Sequence, residues 1–204
     1  MSAFEFFFSF YGLVLGLSVA VIATGLATAI QHRRKIRIGW LTPLLALFVG
    51  LDIATFWDSA WNTFRDAPYN YGMLVAGMTI ALVYFVAASL VFPHEITDGM
   101  DMDDHFWANK KVVLLLTTLA TILMLLVSIP QVLTTPGGTT TALGLLALLG
   151  LYIVMTVPAA LTRNRTVFAA LIGLHVALYL ASAAASPFVP EPPGQPAAAP
   201  AAGA

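Results

Sequence analysis

The chain alternates long apolar segments with short polar connections. A helix needs roughly 20 predominantly apolar residues to cross a hydrocarbon core of about 30 Å. Six segments reach that length, and none of them alternates polar and apolar residues with the period of a strand. The predicted spans are residues 6–30, 40–62, 71–92, 111–133, 141–162 and 166–185. The pattern predicts an all-α protein: a bundle of six transmembrane helices in one domain (1–186), with a disordered Pro/Ala-rich tail (187–204).

Composition agrees with a polytopic membrane protein whose main partner is the lipid bilayer. Of 204 residues, 59% are hydrophobic and only 9% are charged, too few to cover the surface of a soluble domain. The chain has no cysteine, which excludes disulfides, thiolate metal sites and cysteine nucleophiles. A net charge of −1 gives no basis for nucleic-acid binding.

The basic residues predict how the bundle is oriented. Only Arg65 lies in a connection after an even-numbered span. The other eight follow spans 1, 3 and 5: Arg33, Arg34, Lys35, Arg37, Lys110, Lys111, Arg163 and Arg165. Because cytoplasmic loops carry the excess of Lys and Arg, we expect both termini on the non-cytoplasmic side. We expect the protein in the cell membrane, of the bacterial inner-membrane type.

Two aspartates interrupt the second span. Asp52 falls near its middle, and Thr55 and Ser59 follow at helical spacing on the same face. Asp58 flanks that stripe nearer the outer end, where simple solvation is the alternative to a functional role. An intramembrane carboxylate needs a partner, water or a proton, and marks a functional site by default. The alternative for Asp52 is a hydrogen-bonded clamp between helices.

The sixth span carries the other ionisable residue at mid-depth, His175, with Tyr179 one turn further out. Asp52 and His175 are predicted at the same depth, where they could form a proton- or ion-binding pair. The polar residues of these spans predict an outward-facing pocket lined by Asp52, Thr55, Asp58, Ser59, His175 and Tyr179. A structural hydrogen bond is again the alternative for His175.

The connection after the third span is rich in acidic residues and histidines. Oxygen and imidazole ligands could hold a divalent cation there, although the spacing matches no metal-binding motif. The weak candidates are His94, Glu95, Asp98, Asp101, Asp103, Asp104 and His105. The alternative is a solvated loop in which Asp103 or Asp104 caps the fourth span.

Three functions are consistent with these features. The first is a small transporter or channel that uses the polar pocket. The second is a non-catalytic accessory or scaffold subunit, since the Gly12, Gly16 and Ala20 ridge of the first span allows close helix packing, a homo-oligomer or a membrane-protein partner. The third is a cytoplasmic-face enzyme that uses the acidic loop, which the lack of any catalytic motif disfavours. No motif indicates a cofactor.

The orientation is testable because any introduced cysteine is the only thiol in the chain. We expect a membrane-impermeant maleimide to label Thr135→Cys in intact cells, because the connection between spans 4 and 5 is predicted outside. Gln31→Cys, in the basic connection, should react only after permeabilisation. The opposite labelling pattern would show that the orientation is inverted.

Overall fold

The computed structural model describes residues 3–64 and 70–186, with side chains described for 8–62 and 70–186. Within these ranges the regular elements are six helices and no strands. The helices are α1 (Ala3–Gln31), α2 (Leu41–Phe64), α3 (Tyr71–Ser89), α4 (Met102–Val132), α5 (Gly138–Leu161) and α6 (Arg165–Ala185). All six are long and apolar enough to cross a membrane, which confirms the predicted six-helix architecture of a multi-pass membrane protein. The predicted disordered tail lies outside the described residues.

Helix α4 begins at Met102, whereas the hydrophobic pattern predicted a span from residue 111. Its N-cap is Asp101, whose carboxylate accepts a hydrogen bond of 2.9 Å from the Asp103 backbone N–H. The predicted caps, Asp103 and Asp104, lie instead in the first turn, where negative charge favours the helix dipole. Hydropathy does not detect a polar first turn, and the helix extends nine residues before the start of the predicted span.

Helix α2 occupies the centre of the bundle. Each helix in the series α1, α3, α4, α5 and α6 packs against the next. Helix α2 contacts α1, α3, α4 and α6. Large apolar residues on α2 are fully covered, among them Phe48 and Ile53. A polar group on the covered side of this helix therefore has to find its partners on neighbouring helices.

The connections after α1 and α3 pair through their backbones. The Arg37 N–H donates to the Met100 carbonyl, and the Met102 N–H donates back to the Arg37 carbonyl, both at 3.1 Å. The Gly99 N–H donates to the Lys35 carbonyl at 2.9 Å, and Gly99 has a φ of 85°, which favours glycine. This short parallel bridge holds the two loops together at one end of the bundle.

One ion pair joins the same two loops, and another joins the start of α4 to the start of α6. Lys35 lies 3.2 Å from Asp98, and Arg165 lies 3.0 Å from Asp103. The Asp103 side chain is mostly covered, whereas both members of the first pair are exposed, where such pairs contribute little. The connections after α1, α3 and α5 thus share one end of the bundle, as alternating spans require.

Lys110 connects α4 to the C-terminal end of α5. Its side chain is buried, and the ammonium donates to the carbonyls of Ala159 (2.7 Å), Ala160 (3.0 Å) and Thr162 (2.6 Å). The last carbonyls of a helix lack partners within the helix and carry partial negative charge. Lys110 satisfies these carbonyls with all three of its N–H donors.

Replacing Lys110 should therefore destabilise the bundle. We expect Lys110→Met to lower the free energy of unfolding by about 2–3 kcal/mol, because a charged donor is lost and buried carbonyls stay unpaired. Thermal or denaturant unfolding in detergent without phospholipid measures the effect. The matched control is Lys111→Met, since Lys111 is exposed. Equal loss in both variants would contradict a specific role for the Lys110 contacts.

Candidate functional site

The carboxylate of Asp52 is buried about halfway along α2. The residue is 3% exposed and lies among covered apolar side chains, including Phe48, Ile53 and Phe56. Among the described residues it has no ion-pair partner, because the ion pairs all lie in or beside the loops. The charge of this carboxylate is therefore not balanced by a neighbouring cation.

Three tyrosines from three different helices surround Asp52. Tyr179 of α6 donates its hydroxyl to Oδ1 at 2.6 Å. Tyr84 of α3 and Tyr152 of α5 both donate to Oδ2, at 3.0 and 3.2 Å. We call Asp52 with Tyr84, Tyr152 and Tyr179 the tyrosine cage. The cage joins four of the six helices through one carboxylate.

The hydroxyls of the cage replace the water that an exposed carboxylate would bind. Placing an aspartate at the centre of a membrane helix costs about 2.5–3.5 kcal/mol on insertion scales. A hydrogen bond to a charged group contributes about 1.5–3 kcal/mol in protein interiors, and interhelical bonds in membranes average about 0.6 kcal/mol. Three donors offset the cost of burial if each bond has the strength of one to a charged group, whereas three bonds at the membrane average do not.

Tyr152 extends the cage toward α4. The side chains of Thr117 and Thr121 lie near the Tyr152 hydroxyl, without a hydrogen bond to it among the described residues. Both threonines also donate within α4, to the carbonyls of Leu114 and Thr117 respectively. Tyr152 is the main link between α5 and α2, whose backbones do not pack closely.

His175 lies beside the cage without bonding to its carboxylate. The histidine is 6% exposed, and its ring centroid is 4.9 Å from that of Tyr152 and 4.7 Å from that of Tyr179. Phe48 covers the ring edge-on at 5.2 Å. Its Nδ1 is buried and has no hydrogen-bond partner among the described residues. Asp52 and His175 thus share two tyrosine neighbours, but the direct pair predicted from their depth is not formed.

The remaining predicted pocket residues lie elsewhere on α2. Thr55, Asp58 and Ser59 are exposed, and none of them bonds to the cage. Helical spacing places residues on a common face, but it does not specify where neighbouring helices cover that face. At Asp52 the face is closed by α3, α5 and α6, so the carboxylate is occluded here. The role of Thr55, Asp58 and Ser59 as pocket lining stays a prediction.

The carboxylates of the acidic loop contact loop and helix-end groups. Asp98 and Asp103 pair with Lys35 and Arg165 as above, and Asp101 both caps α4 and lies 3.8 Å from Arg37. Of the remaining candidates, His94, Glu95 and Asp104 are exposed, and His105 Nε2 lies 3.1 Å from the Leu90 carbonyl. Within the described residues no three His, Asp or Glu side chains converge on a point that could hold a metal ion.

Tyr84 and Tyr152 were not among the predicted site residues. A signal was present, because these two and Tyr179 lie well inside predicted spans. A phenol surrounded by hydrocarbon needs a hydrogen-bond partner, and Asp52 and His175 were the only ionisable partners at that depth. The need of the mid-span tyrosine hydroxyls for hydrogen-bond partners therefore pointed toward Asp52 and His175.

Comparison of the chain with family models, with curated proteins and with solved structures gave no match. The interpretation of the site therefore depends on its geometry alone.

Removing single hydroxyls tests the cage. We expect Tyr179→Phe to lower the free energy of unfolding by about 1–2 kcal/mol, because it removes the only donor to Oδ1 within the described residues and keeps the ring. Tyr84→Phe and Tyr152→Phe should each lower the free energy of unfolding by less, since the other tyrosine still donates to Oδ2. Denaturant unfolding in micelles measures the differences.

Tyr71→Phe is the matched control, because Tyr71 is 79% exposed and distant from the cage in sequence and depth. A loss in Tyr179→Phe no larger than in the control would contradict the energetic importance of the cage.

Proposed function

We propose that the protein is a small membrane transporter or channel in which Asp52 binds and releases a proton or a small cation. The observation that carries this proposal is the tyrosine cage. Its carboxylate lies at mid-depth in the central helix, is bonded by three hydroxyls and has no cationic partner in the described part of the chain. A merely structural link between helices is more simply made by a neutral pair. A carboxylate adds a group that can take up charge.

Protonation of Asp52 changes the contacts of several helices together. The ionised carboxylate accepts three hydrogen bonds, from α3, α5 and α6. A protonated carboxyl group donates one of its own, so one tyrosine has to turn from donor to acceptor. The hydroxyl proton of that tyrosine then needs a new partner. Binding a proton or cation at Asp52 thereby favours a different arrangement of the surrounding helices, as alternating access requires.

His175 supplies a second position for a proton in the same region. Its unpartnered Nδ1 lies on a ring that contacts both Tyr152 and Tyr179. A neutral imidazole has one nitrogen free to accept a proton. In the proposed function, His175 exchanges protons with Asp52 through a tyrosine hydroxyl or a water molecule, on the outward-facing side of the cell membrane that the basic loops predict.

An accessory or scaffold subunit is the second candidate, and an apolar groove favours it. Gly12 packs against Trp57, but a Cβ atom at Gly16 would meet no described atom within 4 Å, and Ala20 is exposed. Gly16 and Leu15 line a groove of about 280 Å³ between α1 and α2. A second copy or another membrane protein could place a helix there. The third candidate, an enzyme using the acidic loop, is weaker because three carboxylates of that loop contact basic side chains.

Substituting Asp52 tests the proposed function. We expect Asp52→Asn to abolish proton or cation flux in proteoliposomes, measured with an internal pH dye or a monovalent-cation dye, because the amide cannot ionise. Infrared difference spectra across a pH titration should show a carboxylic acid band in the wild type that the variant lacks. The infrared measurement needs no knowledge of the transported substrate.

The matched control is Asp104→Asn, which makes the same change at an exposed position in the first turn of α4. The control should keep both the flux and the infrared band. Wild-type flux in Asp52→Asn would rule out Asp52 as the ion site. Absence of flux in the wild type, together with copurification of a stoichiometric membrane partner, would favour the accessory subunit.

A further inference from the structure

A basic cavity lies between the start of α4 and the end of α5, away from the tyrosine cage. Its volume is about 550 Å³, and its lining includes Trp107 and Lys111 from α4 and Leu161, Thr162 and Arg163 from the end of α5 and the connection that follows. The cavity is at the end of the bundle that carries the basic loops. No part of the proposed ion site depends on it.

Two cations on the cavity wall are free to bind a ligand. The ammonium of Lys110 also borders the cavity, but its three donors are already bonded to carbonyls of Ala159, Ala160 and Thr162. Lys111 and Arg163 are exposed, and neither forms an ion pair within the described part of the chain. Unpaired cations that face a common cavity favour an anionic ligand.

The helix ends beside the cavity also favour negative charge. The C-terminal carbonyls of α5 would repel an anion, but the Lys110 ammonium neutralises them. Helix α6 begins at Arg165, two residues after Arg163, and places the positive end of its dipole on the same side. The guanidinium of Arg163 can bind phosphate oxygens through two parallel hydrogen bonds.

The surroundings of the cavity are those of a membrane interface. Leu161 is on its wall and is 61% exposed, so it can contact acyl chains. Trp107 is half-buried, and the Lys110 ammonium lies 5.1 Å from its ring. Tryptophan rings prefer the headgroup zone of a bilayer. An anionic amphiphile that enters here meets cations at its charged group and apolar side chains along its apolar part.

We propose that this cavity binds the phosphate headgroup of an anionic phospholipid. Arg163 and Lys111 contact the phosphate, Trp107 packs beside the glycerol region and Leu161 contacts the acyl chain. A free phosphate ion could also contact Arg163 and Lys111, but it has no acyl chain to contact Leu161. Basic pockets between transmembrane helices are a recognised way for membrane proteins to hold such headgroups.

Native mass spectrometry of the delipidated protein tests the site with phosphatidylglycerol as the probe. Each basic residue near an anionic membrane surface contributes roughly fivefold in affinity, so we expect Lys111→Gln/Arg163→Gln to bind this lipid about thirtyfold more weakly. The charge-preserving variant Lys111→Arg/Arg163→Lys should keep most of the binding. Equal melting temperatures in lipid-free detergent check that the neutral variant is folded.

The matched control is Arg33→Gln/Arg34→Gln, which removes the same charge from another basic loop at the same end of the bundle. This control should bind phosphatidylglycerol like the wild type. The proposal is overturned if the control loses as much affinity as the cavity variant. It is also overturned if zwitterionic phosphatidylcholine binds as tightly as phosphatidylglycerol. It is overturned equally if inorganic phosphate at matched concentrations displaces phosphatidylglycerol from the wild type, since the ligand would then be free phosphate.

Discussion

The structure depends most on the requirement that one buried carboxylate, that of Asp52, be hydrogen-bonded inside an apolar bundle. The backbone of α2 satisfies itself, so the donors have to come from other helices, and they come from α3, α5 and α6. In lipid, apolar faces pack nearly as well against acyl chains as against each other. Three directional bonds to a single group therefore specify which helices meet at Asp52 more sharply than apolar contacts do.

A second set of polar interactions fixes one end of the bundle. Lys110 holds α4 to the end of α5, and Asp103 with Arg165 holds α4 to the start of α6. Gly39 belongs to this set, because a side chain at that position would clash with the Asp103 carboxylate. The described part of the opposite end has no comparable network of ion pairs. The tyrosine cage holds the bundle at its middle, and these contacts hold it at the basic end.

The spans were predictable from hydrophobicity alone, because a membrane selects segments by length and polarity. The location of Asp52, His175 and Tyr179 in one neighbourhood was also predictable, since Asp52 lies at mid-depth on one polar stripe and His175 with Tyr179 on another. Tyr84 and Tyr152 were indicated only by their need for a partner within a span, because hydropathy does not say which helices adjoin α2. The acidic loop was ambiguous for a related reason: its basic partners Lys35, Arg37 and Arg165 are distant in sequence and become neighbours only in the fold.

The tyrosine cage has a consequence for how this protein can be observed. Three of its six tyrosines donate to the same carboxylate, so half of its phenol groups sense the state of one side chain. Loss or gain of charge at Asp52 alters the electric field on those rings, and with it their ultraviolet absorption and near-ultraviolet circular dichroism. The protein carries a built-in optical reporter at its centre, which follows events at the carboxylate without an attached label.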